Sequence, residues 1–366
     1  MNTSRKPERL ALRIIATTVI GIGSLWILHR LGYLNLEPVG RAFHLGGLWI
    51  GLVVGSLLSL LVVGAVRFHR LTRAFGAPAP FRDVLAANLI GQAVGQWLPG
   101  SLAMTEILRF GVMAGRTEEK SPDAPTEASG PKGRLGLAIL VDRLLGLGVM
   151  FAVGGLAGVF LLARNKIDGG FVIAVLFLSA ISLILGLIAL AAPFRPNRRL
   201  QRLAGRAAGM TPAAACGNEI APAPSQPILR RAAWEIFRLL ETLKEFRARE
   251  SRGTALLLLS LAAAVLNPLT LYFAAQAADF PLSFPIILAA VPLTTAAVLL
   301  PTGIAGFGGP QLLAAGVFRL LGADPGTAVA ACLLQNTIVL AVQTLGGAVG
   351  WALLSKRPSF RLGRLK

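Results

Sequence analysis

Two pairs of charged residues interrupt otherwise apolar stretches of the sequence. Glu106 and Arg109 lie three positions apart, on one face if this stretch is helical, and Asp142 and Arg143 are adjacent within the run GLAILVDRLLGLGVMF. A charged side chain at the centre of a bilayer costs about 2.5–3.5 kcal/mol on insertion scales. Because two acids and two bases carry no net formal charge, mutual pairing would relieve much of that cost. The pattern therefore indicates either a buried ion-pair cluster that fixes helix register or a polar cavity that binds a ligand.

In the second interpretation the two arginines bind an anionic group such as a lipid phosphate, because a planar guanidinium offers a bidentate fork. Glu106 or Asp142 would then bind an amine or take up a proton. Asp142 lies about eight residues, or roughly 12 Å, beyond the predicted start of its helix, which places it toward the middle of the bilayer. We therefore take Glu106, Arg109, Asp142 and Arg143 as candidate substrate-binding residues.

Helix breakers interrupt two further apolar segments, 84–113 and 284–321. The breakers that we expect to shape these broken hairpins are Pro99, Gly100, Pro301, Gly303, Gly306, Gly308 and Gly309. Non-helical backbone inside the hydrocarbon must face protein or a wet cavity, and glycine leaves backbone amides open to a ligand. Gln311 and Asn336 supply polar side chains nearby, so we add both to the substrate-binding candidates. The alternative is that the glycines only allow close helix packing.

The elements that carry these residues are those of a membrane protein. The chain has 366 residues, of which 54% are hydrophobic and 14% charged, whereas a soluble domain carries about a quarter charged residues. This composition excludes an ordinary soluble globular protein and a disordered chain. Apolar runs near 20 residues recur, and each is long enough to cross about 30 Å of hydrocarbon. Full-length apolar segments lie at 12–29, 47–66, 135–163, 170–192, 255–278 and 327–354.

The distribution of basic residues orients these segments. The net charge is +19, from 36 Lys and Arg against 17 Asp and Glu. If both broken segments re-enter, the predicted cytoplasmic pieces hold 29 of the basic residues and the external pieces hold 4, as the positive-inside rule requires. Two crossings by each broken segment would give the same counts, but one crossing would not. We therefore expect both termini in the cytoplasm. No groove-binding motif accompanies the charge, so we expect no nucleic-acid partner.

This scheme predicts an all-α polytopic membrane protein with about six full spans and two broken hairpins. The chain divides into two halves of opposite orientation, and each half reads helix, helix, broken hairpin, helix. The predicted parts are a first repeat at 1–163, a second repeat at 164–354 that includes a cytoplasmic loop at 193–254, and a basic cytoplasmic tail at 355–366. Paired broken segments in inverted halves are typical of a transporter-like site near the bilayer midplane.

The order of these features resembles the lysylphosphatidylglycerol synthase transmembrane (flippase-like) family. The shared features are L-P-G followed by Glu and Arg (98–109), an acid–Arg pair (142–143), and L-P-x-G with a glycine cluster (300–309) followed by G-A-x-P (322–325). The resemblance implies a membrane domain that moves lipids between leaflets and assigns functional roles to these motif residues. The chain departs from the pattern at Ala103-Met104, where Gly-Gly is common, and at Gln311, where an acid is common.

The resemblance and the sequence together set the functional expectations. Family members that synthesise aminoacyl lipids carry a large catalytic domain after the membrane part, whereas only 355–366 follow the last predicted span, so we expect no enzymatic activity. The cysteines and histidines show no ligand spacing, so we expect no metal or other cofactor. We expect a lipid translocase, or a lipid-pathway accessory protein, in a bacterial-type inner membrane. Its partners would be membrane lipids, anionic or of polyprenyl or hopanoid type, and lipid-biosynthesis enzymes.

Two alternatives from other functional classes stay open at this point. The first is an ion- or proton-coupled transporter of small solutes, which would depend on Glu106 or Asp142. The second is an intramembrane transferase that acts on lipid-linked sugars, which would need a catalytic acid near an open donor site.

Overall fold

The computed structural model describes residues 5–34, 36–98, 101–117, 131–164, 253–280, 282–297, 303–304 and 307–355, with isolated positions between 177 and 184. Within these ranges the chain forms ten α-helices and one two-stranded sheet. In chain order these are α1 (Arg5–Arg30), α2 (Glu37–Leu45), α3 (Gly47–Ala74), α4 (Phe81–Gly95), α5 (Ser101–Thr117), α6 (Pro131–Ala163), α7 (Gly253–Ala277), α8 (Phe284–Ala297), β1 (Gly303–Ile304), β2 (Phe307–Gly308), α9 (Gly309–Leu320) and α10 (Pro325–Ser355). The chain is therefore mostly helical, as predicted.

Four of these helices, α3, α6, α7 and α10, are long and apolar enough to cross a membrane. They contain 25 to 33 residues, and at about 1.5 Å per residue even the shortest exceeds the roughly 30 Å of the hydrocarbon. They coincide with four of the six predicted full spans, and the protein is a multi-pass membrane protein. The predicted span 12–29 is helical within α1, which is not among the four, and 170–192 lies outside the described residues except for four isolated positions.

Each broken segment folds into a pair of short helices. The first gives α4 and α5, and the second gives α8 and α9, with lengths of 12 to 17 residues, or roughly 18–26 Å. Each of these helices is thus shorter than the hydrocarbon is thick. The helices α4 and α5 touch closely at glycine, since a Cβ on Gly91 would lie 2.9 Å from the backbone oxygen of Thr105. These short helices carry the candidate residues Glu106, Arg109 and Gln311.

A small β-hairpin between α8 and α9 departs from the all-α prediction. Gly303 pairs with Gly308, and Ile304 pairs with Phe307, in antiparallel register. Gly308 has a φ of +108°, which favours glycine, and a Cβ there would lie 2.6 Å from Cα of Gly21 in α1. Strand pairing satisfies backbone groups where the helices break, and this is the physical reason why such a short sheet forms.

The long helices and the hairpins pack in a reciprocal pattern. The helix α3 packs on α7, α4 packs on α10, and α8 packs on α6, so that the first helix of each hairpin contacts the last long helix of the other predicted half. Two halves related by a two-fold axis would show this same pair of reciprocal helix contacts. The division into inverted halves stays a prediction. Nearly all of the loop at 193–254 and of the tail at 355–366 lies outside the described residues.

Candidate functional site

Asp142, at the centre of a buried ion-pair network, is only 3% exposed. It accepts hydrogen bonds on both carboxylate oxygens. Arg67 Nε lies 2.7 Å from Oδ1, and Arg109 Nη1 lies 3.2 Å from Oδ2. These contacts join α3, α5 and α6, because each of the three residues comes from a different helix.

Glu106 extends the network along α5. Its Oε2 atom lies 3.3 Å from Arg109 Nη1, so the predicted pairing at three-residue spacing is present. Its Oε1 atom accepts hydrogen bonds from Arg143, from Nε at 2.7 Å and also from Nη2. The structure thus brings the four predicted charged residues into one continuous chain of contacts.

Arg67 is the member of the network that sequence reasoning missed. The predicted span ended at residue 66, which placed Arg67 in a cytoplasmic loop, but α3 continues to Ala74. The residue is 8% exposed, and its Nη1 atom also donates to Ser260 Oγ on α7 at 3.3 Å. A signal was available, because no proline interrupts the helical stretch before Pro78.

The inclusion of Arg67 overturns the predicted charge balance of the cluster. Among the described residues, three arginines face two carboxylates in the network, which leaves a surplus of one positive charge there. Arg109 is 2% exposed, and its guanidinium carbon lies 3.5 Å from the centroid of the Phe68 ring. Its Nε and Nη2 atoms are buried with no hydrogen-bond partner among the described residues. The site therefore holds buried cationic donors that the described part of the chain does not satisfy.

Arg109 also lines a cavity of about 260 Å³, which we call the charged cavity. Its charged lining consists of Arg67, Arg109, Asp142 and Arg143, and its uncharged polar lining consists of Asn88, Gln92, Asn267, Thr295 and Gln343. The lining charges of the described residues thus comprise three cations and one anion. A surface of this kind attracts an anion, and guanidinium groups suit the oxygens of a phosphate or carboxylate.

A second cavity of about 280 Å³, which we call the amide cavity, is lined by carboxamides, hydroxyls and apolar side chains. Its carboxamide side chains are Gln92, Gln96, Asn267, Gln311, Gln335, Asn336 and Gln343. Among the described residues, no charged side chain lines it. Gln92, Asn267, Thr295 and Gln343 line both cavities, so the two are adjacent. The predicted candidates Gln311 and Asn336 therefore lie in the amide cavity and not in the ion-pair network.

The predicted hairpin residues have mixed placements. The backbone N–H of Gly308 donates to Gln311 Oε1 at 2.7 Å, at the N-terminus of α9. We had expected this N–H to be open to a ligand, but the Gln311 side chain occupies it. Gly309 begins α9, Gly303 begins β1, and Pro310 lines the amide cavity. Pro99, Gly100, Pro301 and Gly306 lie outside the described residues.

Together, the helices and the two cavities define a multi-pass helical membrane protein with a buried arginine–carboxylate network. Residues 13–347 match the family described as lysylphosphatidylglycerol synthase TM region, and the chain belongs to that family. The resemblance noted in the sequence is therefore confirmed, and it links this membrane protein to lipid handling. No protein of curated function and no solved structure matches the chain.

Proposed function

We propose that this protein moves an anionic lipid between the leaflets of its membrane and binds the headgroup in the charged cavity. The observation that carries the proposal is the buried Arg109 side chain, whose Nε and Nη2 atoms have no partner among the described residues. A buried charged donor without an acceptor is costly, and a phosphate in the cavity that Arg109 lines would supply this acceptor once the side chain turns toward it.

The surplus of positive charge favours binding over a purely structural role. A cluster that only fixes helix register would be most stable with balanced charges, because each uncompensated buried charge carries a desolvation cost. In the described part of the chain, three arginines share two carboxylates, and three of the four charged residues that line the cavity are cationic. An anionic headgroup would restore the balance each time it is bound.

We further propose transport and not catalysis. Arg67 and Arg109 hold the two oxygens of Asp142, and Arg109 and Arg143 hold those of Glu106. A carboxylate held in this way is a poor general base, because the paired form is stabilised. On this view membrane lipids are the direct partners, and lipid-biosynthesis enzymes would supply the cargo.

The location that we propose is a bacterial-type inner membrane with both termini in the cytoplasm. The C-terminal end of α3 and the N-terminal ends of α6 and α7 then face the cytoplasm. Arg67, Ser260 and Asp142 lie 7 to 11 residues, or roughly 10–16 Å, from these ends, so the network lies nearer to the inner leaflet than to the outer one.

Single cysteines at opposite helix ends test this orientation in a variant that lacks Cys216 and Cys332. We expect Ser355→Cys, at the exposed end of α10, to react with a membrane-impermeant thiol reagent only after the cells are opened. Leu48→Cys, at the exposed start of α3, should react in intact cells. The reverse pattern would invert the topology and contradict the proposal.

The proposed function is tested with purified protein in vesicles that carry a trace of phosphatidylglycerol labelled on its acyl chain. A quencher that cannot cross the membrane reports the lipid in the outer leaflet. We expect the quenchable fraction to rise from about half to nearly all, because translocation exposes the inner pool. Arg41→Gln, which breaks an exposed ion pair with Glu37, should behave like the natural sequence. A quenchable fraction equal to that of protein-free vesicles would contradict the proposal.

A further inference from the structure

We infer that the headgroup occupies both cavities and that its part beyond the phosphate is uncharged and bears hydroxyl groups, as in a glycerol or a sugar. This inference rests on the proposed function and specifies its substrate. The phosphate would lie in the charged cavity near Arg109, and the hydroxyl-bearing group would lie in the amide cavity. Headgroups that carry an amine would be excluded.

The chemistry of the amide cavity matches a hydroxyl-bearing group. A carboxamide both donates and accepts hydrogen bonds, as a hydroxyl does, so the two kinds of group pair well. Gln96 Oε1 is buried with no partner among the described residues, and Asn267 Nδ2 donates only to the weak acceptor Met150 Sδ, 3.8 Å away. These groups thus have hydrogen-bonding capacity that a ligand could use. The volume of about 280 Å³ holds a glycerol or a single sugar.

The two cavities are placed for one ligand to span them. Asn267 of α7 and Gln92 of α4 line both, as do Thr295 of α8 and Gln343 of α10. A phosphodiester joins its phosphate to the next group through a single oxygen, so the two parts of such a headgroup are immediate neighbours. The shared lining residues therefore lie where the two parts would join.

In the described part of the site, an amine finds no unpaired carboxylate. Among the described lining residues of both cavities, Asp142 is the single acid, and Arg67 and Arg109 occupy its two oxygens. An ammonium group would also be repelled by the three arginines of the charged cavity. The described part of the site is therefore selective against amines, although the family name refers to a lysyl lipid.

The test compares acyl-labelled phospholipids of equal net charge in the vesicle assay. Phosphatidylglycerol and phosphatidylinositol carry hydroxyls, whereas phosphatidylserine carries an amine and a carboxylate. We expect the two hydroxyl-bearing lipids to move at least about 10-fold faster than phosphatidylserine. Equal rates for all three would overturn this inference and leave the proposed function intact, whereas no movement of any lipid would overturn the proposed function itself.

Two variants assign the selectivity to the amide cavity. Gln96→Leu and Gln335→Leu, at positions that line the amide cavity and not the charged cavity, should each slow phosphatidylglycerol by about 2- to 10-fold, the effect of one neutral hydrogen bond, and leave the slow phosphatidylserine rate unchanged. Gln276→Leu on α7, outside both cavities, is the matched control. Unchanged phosphatidylglycerol rates in both variants would overturn the assignment. Should either variant misfold, the comparison of lipids with the natural sequence still decides the inference.

A last arm separates a lipid headgroup from a soluble ligand of the same chemistry. Radiolabelled glycerol phosphate is supplied outside the vesicles, and its uptake is measured. We expect no uptake above protein-free vesicles, since the proposed cargo keeps its acyl chains in the bilayer. Uptake of the soluble compound without lipid movement would identify a solute transporter and overturn the lipid assignment.

Discussion

Replacement of Arg109 by glutamine should slow phosphatidylglycerol movement by about 10- to 100-fold in the vesicle assay. A hydrogen bond to a charged group contributes about 1.5–3 kcal/mol, and about 1.4 kcal/mol corresponds to a factor of ten. The variant should still fold, because Asp142 keeps Arg67 and Glu106 keeps Arg143. The network then holds two cations and two anions, a balanced set.

The conservative variant Arg109→Lys separates charge from geometry. A lysine keeps the positive charge but lacks the planar fork whose Nε and Nη2 atoms we assign to the phosphate. We expect its rate to lie between those of the glutamine variant and the natural sequence. A lysine variant that matches the natural rate would show that charge alone suffices. A folded Arg109→Gln protein that moves lipid at the natural rate would exclude the charged cavity as the headgroup site.

Local signals in the sequence were sufficient for the parts of the fold that depend on composition and short spacing. Apolar length predicted the four long helices, and the breakers at 99–100 and 301–310 predicted that two segments would divide into helix pairs. The charged residues at 106, 109, 142 and 143 were identified because each is costly in an apolar run. Their mutual contact followed from the need to pair them.

The predictions that were wrong concern contacts between residues that lie far apart in the sequence. Arg67 was assigned to a loop because it lies beyond the apolar core of α3, yet it reaches Asp142, 75 positions later in the chain. That single misplacement produced the wrong charge balance. Gln311 illustrates the same limit, since one side chain both caps its own helix and lines a cavity formed with α4, α7 and α10. No short spacing in the sequence encodes such a cavity.

The variant Asp142→Ala should lose about 3–5 kcal/mol of stability, the usual cost when one partner of a buried ion pair is removed. Three arginines would then face Glu106 alone, and Arg67 would have no carboxylate among the described residues. The effect contrasts with that of Arg109→Gln, which leaves every carboxylate paired. The measurement is the unfolding free energy in mixed micelles, or the melting temperature where unfolding is irreversible.

A matched control and a rescue variant test whether the loss of stability comes from the buried ion pair. Glu37→Ala also removes the acid of an Arg–Glu pair, but its side chains are 63% and 75% exposed, so we expect a change of about 0–1 kcal/mol. The double variant Asp142→Ala, Arg67→Met returns the network to one surplus positive charge. It should therefore be more stable than Asp142→Ala alone, which a double-mutant cycle measures directly. If Asp142→Ala were as stable as Glu37→Ala, burial would not govern this network. The surplus positive charge of the network would then no longer support a bound anion.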